Sequence, residues 1–145
     1  MVFVLLLMRL ILSGVFIYSG FSKLIAPLEN FAAVIEAYQF LKPEWIQPVS
    51  FFLPWLELSF GAFLLAGFLT RFSSAFLAFF LLVFMSLLAR SLVLKLPVAD
   101  CGCFGAGISL APQQALLLDS GLFLLALCLI IFPPRLLSLD ERLKQ

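Results

Sequence analysis

VFVLLLMRLILSGVFIYSGFSKLI, residues 2–25, contains only two charges, Arg9 and Lys23. As a helix it is long enough to cross a hydrocarbon core, which takes roughly 20 residues at about 1.5 Å each. No positive residue precedes the apolar run and no small-x-small cleavage site follows it, so it is expected to be retained rather than removed as a signal peptide. Three more stretches of the same kind follow, at about Pro48–Leu69, Phe72–Leu96 and Pro112–Phe132. The expectation is an all-α membrane protein, a four-transmembrane-helix bundle forming one membrane domain over residues 1–145.

Composition agrees with that reading. The 145 residues are 64% hydrophobic and 12% charged, with a mean hydropathy of +1.20. A soluble domain of this length could not hide so much apolar surface in its own core. A net charge of +1 supplies no basic field for nucleic acid, and the absence of histidine removes haem and the metal sites built on imidazole. Three cysteines remain as the conspicuous chemistry.

Between the first two spans, Phe31, Val34, Ile35, Tyr38 and Leu41 recur at helical spacing while Glu29, Asn30, Glu36 and Gln39 occupy other faces. The pattern predicts an interfacial amphipathic helix over about 28–41. Pro43, Trp45 and Pro48 are then expected to turn the chain back into the membrane, with Trp45 at headgroup level. The polar tail after Pro133-Pro134, with Arg135, Arg142 and Lys144, reads as a short amphipathic or frayed helix.

The connection between the third and fourth spans carries Asp100-Cys101-Gly102-Cys103-Phe104-Gly105. Two cysteines separated by one residue have Cα atoms at most about 6.6–7 Å apart, which overlaps the range a disulfide accepts, and Gly102 tolerates the unusual dihedrals required. Such a ring is expected to be strained and therefore easily reduced. Asp100 disfavours a neighbouring thiolate, yet it can also accept or relay a proton. Spacing alone leaves a redox pair, a structural disulfide, a metal-ligand pair and lipidated thiols all open. Cys128, deep in the fourth span, reads as a small apolar residue.

Depth along the spans groups a second set of residues. Lys23 ends the first span, Glu57 lies about nine residues into the second, Arg90 about six from the end of the third, and Asp119 about seven into the fourth. All four share the leaflet below the Cys-Gly-Cys loop, where unpaired charge is expensive. Glu57 is expected to meet Arg90 or Lys23, with Asp119 taking the other. Two roles fit this cluster, one that ties helices together and one that conducts protons or polarises a substrate. Ser13, Phe16, Gly20 and Lys23 form an inward stripe, as do Glu57 and Gly61. Phe79, Phe80 and Phe84 are candidates for a quinone slot or for ordinary packing.

With the intramembrane charges set aside, Arg71, Arg135, Arg142 and Lys144, with Arg9 nearby, outnumber Lys42 and Lys95 on the opposite side. The positive-inside rule then puts both termini in the cytoplasm and Cys101 and Cys103 outside, in an inner membrane of the multi-pass type.

The chain resembles the MauE/DoxX-like group of small membrane proteins. The resemblance runs through Arg9, Gly14, Ser19-Gly20-Phe21-Ser22-Lys23-Leu24, Pro54-Trp55-Leu56-Glu57-Leu58, Gly61, Gly67, Thr70-Arg71, the Asp100–Gly105 string and, more loosely, Asp119. That group is similar in plan to membrane thiol oxidoreductases, its MauE branch is linked to methylamine utilisation and maturation of a disulfide-rich periplasmic dehydrogenase, and its DoxX-type members to quinone-coupled sulfur oxidation. The resemblance implies thiol or sulfur redox chemistry at Cys101 and Cys103, supported by Asp100, Gly102, Phe104 and Gly105. It also implies an extracytoplasmic thioredoxin-like or disulfide-containing partner, with quinone as a candidate acceptor. The alternative is a non-catalytic subunit or assembly factor whose disulfide only shapes the loop.

Overall fold

A computed structural model describes residues 1–97 and 110–133. Among these residues the chain is all-helical: α1 (Val2–Ile25), α2 (Leu28–Ala37), α3 (Pro43–Ala66), α4 (Thr70–Val93) and α5 (Pro112–Ile131). Helices α1, α3, α4 and α5 are each long and apolar enough to cross a membrane. The short amphipathic α2 joins α1 to α3. The Cys-Gly-Cys loop and the C-terminal tail lie outside the described residues.

The boundaries follow local chemistry, and two depart from the pattern reading. Helix α2 stops at Ala37 rather than near 41, because the chain turns through Tyr38 into a positive φ of 51° at Gln39. Helix α3 begins at Pro43, five residues before the expected start. Pro43 sits in the first turn, where its missing N–H would be unsatisfied in any case and its fixed φ suits a helix. Pro48 and Pro54 lie inside α3 instead of breaking it, as spanning helices tolerate when their neighbours compensate. Pro43, Trp45 and Pro48 therefore form the first turns of a spanning helix, not a turn preceding one.

Gly67 ends α3 in the left-handed region, with φ of 72°. Its N–H donates to the Leu64 carbonyl at 3.2 Å and the Phe68 N–H to the Phe63 carbonyl at 2.9 Å, a Schellman closure that lets α4 start three residues later. Helix α4 accordingly spans 70–93 where hydropathy alone suggested 72–96.

Packing divides the bundle into two close pairs, α1 with α3 and α4 with α5, while α2 lies against α3. The core joins Leu12 and Phe16 of α1 to Leu64 of α3, Leu77 and Leu81 of α4, and Leu122 and Leu129 of α5. A ladder of rings reinforces the α3–α4 side: Phe60 stacks on Phe76 at 3.9 Å, and Phe80 contacts both Phe76 and Phe84. Phe80 is 9% exposed, whereas its neighbour Phe79 is 61% exposed and faces away from the bundle. Outward Phe52 and Leu117 likewise suit a lipid environment.

The α1–α3 contact depends on glycine. A Cβ at Gly20 would lie 2.8 Å from the Pro54 carbonyl oxygen and 2.9 Å from the Leu58 nitrogen, and one at Gly61 would lie 3.1 Å from Ile17. Without side chains at these points the backbones approach closely, which is how helices associate where no hydrophobic effect drives them together. Gly20→Ala should therefore destabilise the folded protein by about 1–3 kcal/mol. Gly14→Ala, with nothing within 4 Å of its added carbon, should leave stability unchanged or slightly raised. Thermal unfolding in detergent measures both, and equal behaviour of the two variants would contradict the close contact.

Candidate functional site

The site grows from one stripe of α1. Arg9, Leu12, Ser13, Phe16, Ser19, Gly20 and Lys23 are its buried residues, spaced three or four apart, as one helix face requires. The close approach at Gly20 brings Pro54 and Leu58 against that stripe, and Glu57 lies between them in sequence. Lys23 and Glu57 are thus placed opposite one another, level with the end of α1. Because α3 starts at Pro43, Glu57 lies about 21 Å along that helix rather than about 14 Å, and the first turns of α3 run on past α1 beside α2.

Lys23 Nζ donates to both Glu57 oxygens, at 2.8 Å to Oε1 and 2.9 Å to Oε2. The two side chains are 0% and 2% exposed. Ser19 Oγ donates to Oε2 at 3.0 Å, so three charge-assisted hydrogen bonds converge on one carboxylate. On its other sides the ammonium meets aromatic faces, lying 4.9 Å from the ring centre of Phe31 on α2 and 5.3 Å from that of Phe84 on α4. Four elements therefore converge on Lys23. A cation in an apolar bundle is tolerated on these terms, paired by a carboxylate and faced by ring quadrupoles.

Asp119, on α5, is 2% exposed. It shares with Glu57 and Ser19 the lining of a small cavity of about 20 Å³, which Phe16, Phe80 and Phe84 also border. The space is about the size of one water molecule, and its exposed lining is almost wholly apolar. One turn before Asp119, Ala115 packs with Tyr38 and Leu88 in a second buried cluster, which seats the end of the α2 segment against α4 and α5.

Three of the four charges read from depth come together, with Lys23 and Glu57 as direct partners and Asp119 across the small cavity. Arg90 does not join them: it is exposed on α4 and forms no ion pair with a described residue. Depth alone also passed over two residues. Ser19, four positions before Lys23, is a hydrogen-bond donor to Glu57, and Arg9 is 3% exposed on the buried stripe of α1. Arg9 lies on the Lys23 stripe about 21 Å away along α1, and stepping back from Lys23 by threes and fours locates both. No group of three metal-ligating side chains occurs among the described residues. Cys101, Cys103 and the supporting Asp100, Gly102, Phe104 and Gly105 lie outside them, while the flanking ends, Val93 of α4 and Pro112 of α5, are described. Cys128 lies half-buried in α5 as a free thiol.

Glu57→Gln would keep the shape of the side chain and remove its charge, leaving the Lys23 ammonium buried without a counter-ion. The expected loss is about 3–5 kcal/mol of stability, against about 1.5–3 kcal/mol for Ser19→Ala, which removes one bond to a charged acceptor. Chemical or thermal unfolding in detergent would report the order, and a Glu57→Gln protein as stable as the parent would contradict a dry ion pair.

No curated protein and no solved structure gives a match to this chain. The family model described as methylamine utilisation protein MauE matches residues 1–133, most of the chain, including α1 through α5 and the Cys-Gly-Cys string. The chain belongs to the MauE family.

Proposed function

We propose that this protein is a membrane thiol–disulfide redox protein serving methylamine utilisation, with Cys101 and Cys103 as the exchanging pair. Family membership over residues 1–133 supports the physiological setting. The observation that carries the mechanistic part is the buried Lys23–Glu57 pair with Asp119 across a water-sized cavity. Ionisable groups inside an apolar membrane bundle are costly and commonly mark places where protons or charge are handled, which supports this reading over a purely structural tie.

An extracytoplasmic dithiol protein reduces the Cys101–Cys103 disulfide by thiolate attack through a mixed disulfide and leaves as its own disulfide. Oxidation of the Cys101/Cys103 dithiol to the disulfide releases two electrons and two protons. A lipophilic quinone, the candidate acceptor, takes two of each to become the quinol. Glu57 and Asp119 offer exchangeable carboxyl sites beneath the loop for those protons, and Asp100 another beside the thiols. In this reading both termini are cytoplasmic and the loop is extracytoplasmic, the arrangement favoured by the positive residues Arg71, Arg135, Arg142 and Lys144.

Cys103→Ser should leave the bundle folded yet trap a mixed disulfide through Cys101 with an extracytoplasmic thiol protein, because the resolving thiol is gone. The reciprocal Cys101→Ser variant covers the opposite order of attack, which Asp100 favours by disfavouring a thiolate at Cys101. In the parent, the pair should titrate between about −120 and −270 mV, the range of exchanging protein dithiols. If both variants fold, neither traps a partner and the pair titrates below that range, the bridge is structural and the protein is an assembly subunit.

A further inference from the structure

We infer that the segment following α5 docks on the end of the bundle where α1 starts, with Asp140 as the counter-ion of the buried Arg9. Arg9 is 3% exposed, and a guanidinium stays charged inside a protein. It shares the α1 stripe with Phe16 and Lys23 but lies at the opposite end, about 21 Å from Lys23. Gly61 of α3 lies against Phe16 and Ile17. Because α1 and α3 run antiparallel, two turns further along Arg9 is level with Gly67–Thr70, where α3 passes into α4. Arg9, Gly67, Leu69 and Thr70 all take part in further hydrogen-bond or electrostatic contacts. A buried cation demands such company, and a carboxylate above all.

The distribution of acidic residues leaves few sources for that carboxylate. Of the eight Asp and Glu side chains, Glu29 and Glu36 are on α2, Glu44 is in the first turn of α3, and Glu57 and Asp119 line the small cavity at the Lys23 end. Asp100 falls between α4 and α5, in the connection at that same end. Asp140 and Glu141 remain, and both follow α5. Helix α5 ends at Ile131, and its Leu129 packs in one cluster with Leu12, three residues from Arg9. The chain therefore leaves α5 at the level of Arg9. Asp140 comes seven residues after Pro133. Even as a helix that stretch spans about 10 Å, which matches the roughly 8–10 Å between the axes of packed helices.

The pattern of the segment singles out Asp140. At helical spacing Leu136, Leu139 and Leu143 share one face, and Asp140, four after Leu136 and three before Leu143, falls on that same face. Arg135, Ser138, Glu141 and Arg142 fall elsewhere. A carboxylate set in an apolar face is costly against lipid and suits a buried cation. The leucines on either side of it would cover the α1, α3 and α5 ends around Arg9. This docking does not depend on the redox reading.

The test is limited proteolysis of the full chain in mild detergent with a protease that cuts after arginine, each rate being divided by that for a free peptide of the same tail sequence. Asp140→Asn should speed cleavage after Arg142 about tenfold and lower the thermal midpoint by about 5–10 °C, whereas Glu141→Gln should leave both unchanged. Arg9→Met should speed cleavage to the same extent, and adding Asp140→Asn to it should have no further effect, as expected when two residues share one interaction. Three results would each overturn the inference. They are an Asp140→Asn protein cleaved at the parental rate, a Glu141→Gln protein cleaved as fast as Asp140→Asn, and parental protection that appears only when phosphatidylglycerol is added, which would give Arg9 to a headgroup phosphate. Should Arg9→Met fail to fold, the contrast between Asp140→Asn and Glu141→Gln decides the matter.

Discussion

An ammonium and a carboxylate placed inside an apolar bundle must find each other, because nothing else there can solvate them. The Lys23–Glu57 pair meets that constraint with three hydrogen bonds onto one carboxylate and two aromatic faces on the cation. Much of the surrounding structure can be understood as serving it. Gly20 brings α1 and α3 close enough for a lysine on one to reach a glutamate on the other. The α2 segment contributes Phe31 as a lid, and the phenylalanine ladder of α4 ends at Phe84 on the opposite flank. The interaction specifies geometry more than it adds stability, since burying either ion is costly and the pair only offsets that cost.

The architecture was largely legible in the sequence because lipid imposes a simple rule on composition. Uninterrupted apolar runs marked all four long helices, and α1 coincides with its run, Val2–Ile25. Proline was the misleading signal. At Pro43 and Pro48 it suggests a turn, yet Pro43 needs no N–H in the first turn of α3 and Pro48 sits within a helix supported by its neighbours. The consequence was a displaced origin for α3, which puts Glu57 about 21 Å along that helix rather than about 14 Å.

The charges illustrate a second limit. Depth along a helix selects the right layer but not the right side. Arg90 lies in the same layer as Asp119, but the buried stripe of α4 passes through Leu77, Leu81, Leu88 and Ser91. A residue directly before Ser91 is rotated about 100° away from it, and Arg90 accordingly points out of the bundle. Arg9 and Ser19 fall on the α1 stripe by the same geometry, so azimuth would have added them. The Cys-Gly-Cys pair has no such periodicity to exploit. Its assignment rests on residue types and family resemblance, and the loop lies outside the described residues.

The account stands or falls on whether Lys23 and Glu57 are energetically coupled inside the bundle. A double-mutant cycle of Lys23→Met, Glu57→Leu and their combination, followed by unfolding in detergent, measures that coupling directly. Each single variant leaves one buried charge unpaired, whereas the double variant replaces both with apolar side chains of similar reach. The predicted coupling is about 3 kcal/mol or more, with the double variant more stable than either single one. Additive effects, with a coupling below about 0.5 kcal/mol, would contradict a dry, mutually dependent pair and with it the organisation of the site around Lys23.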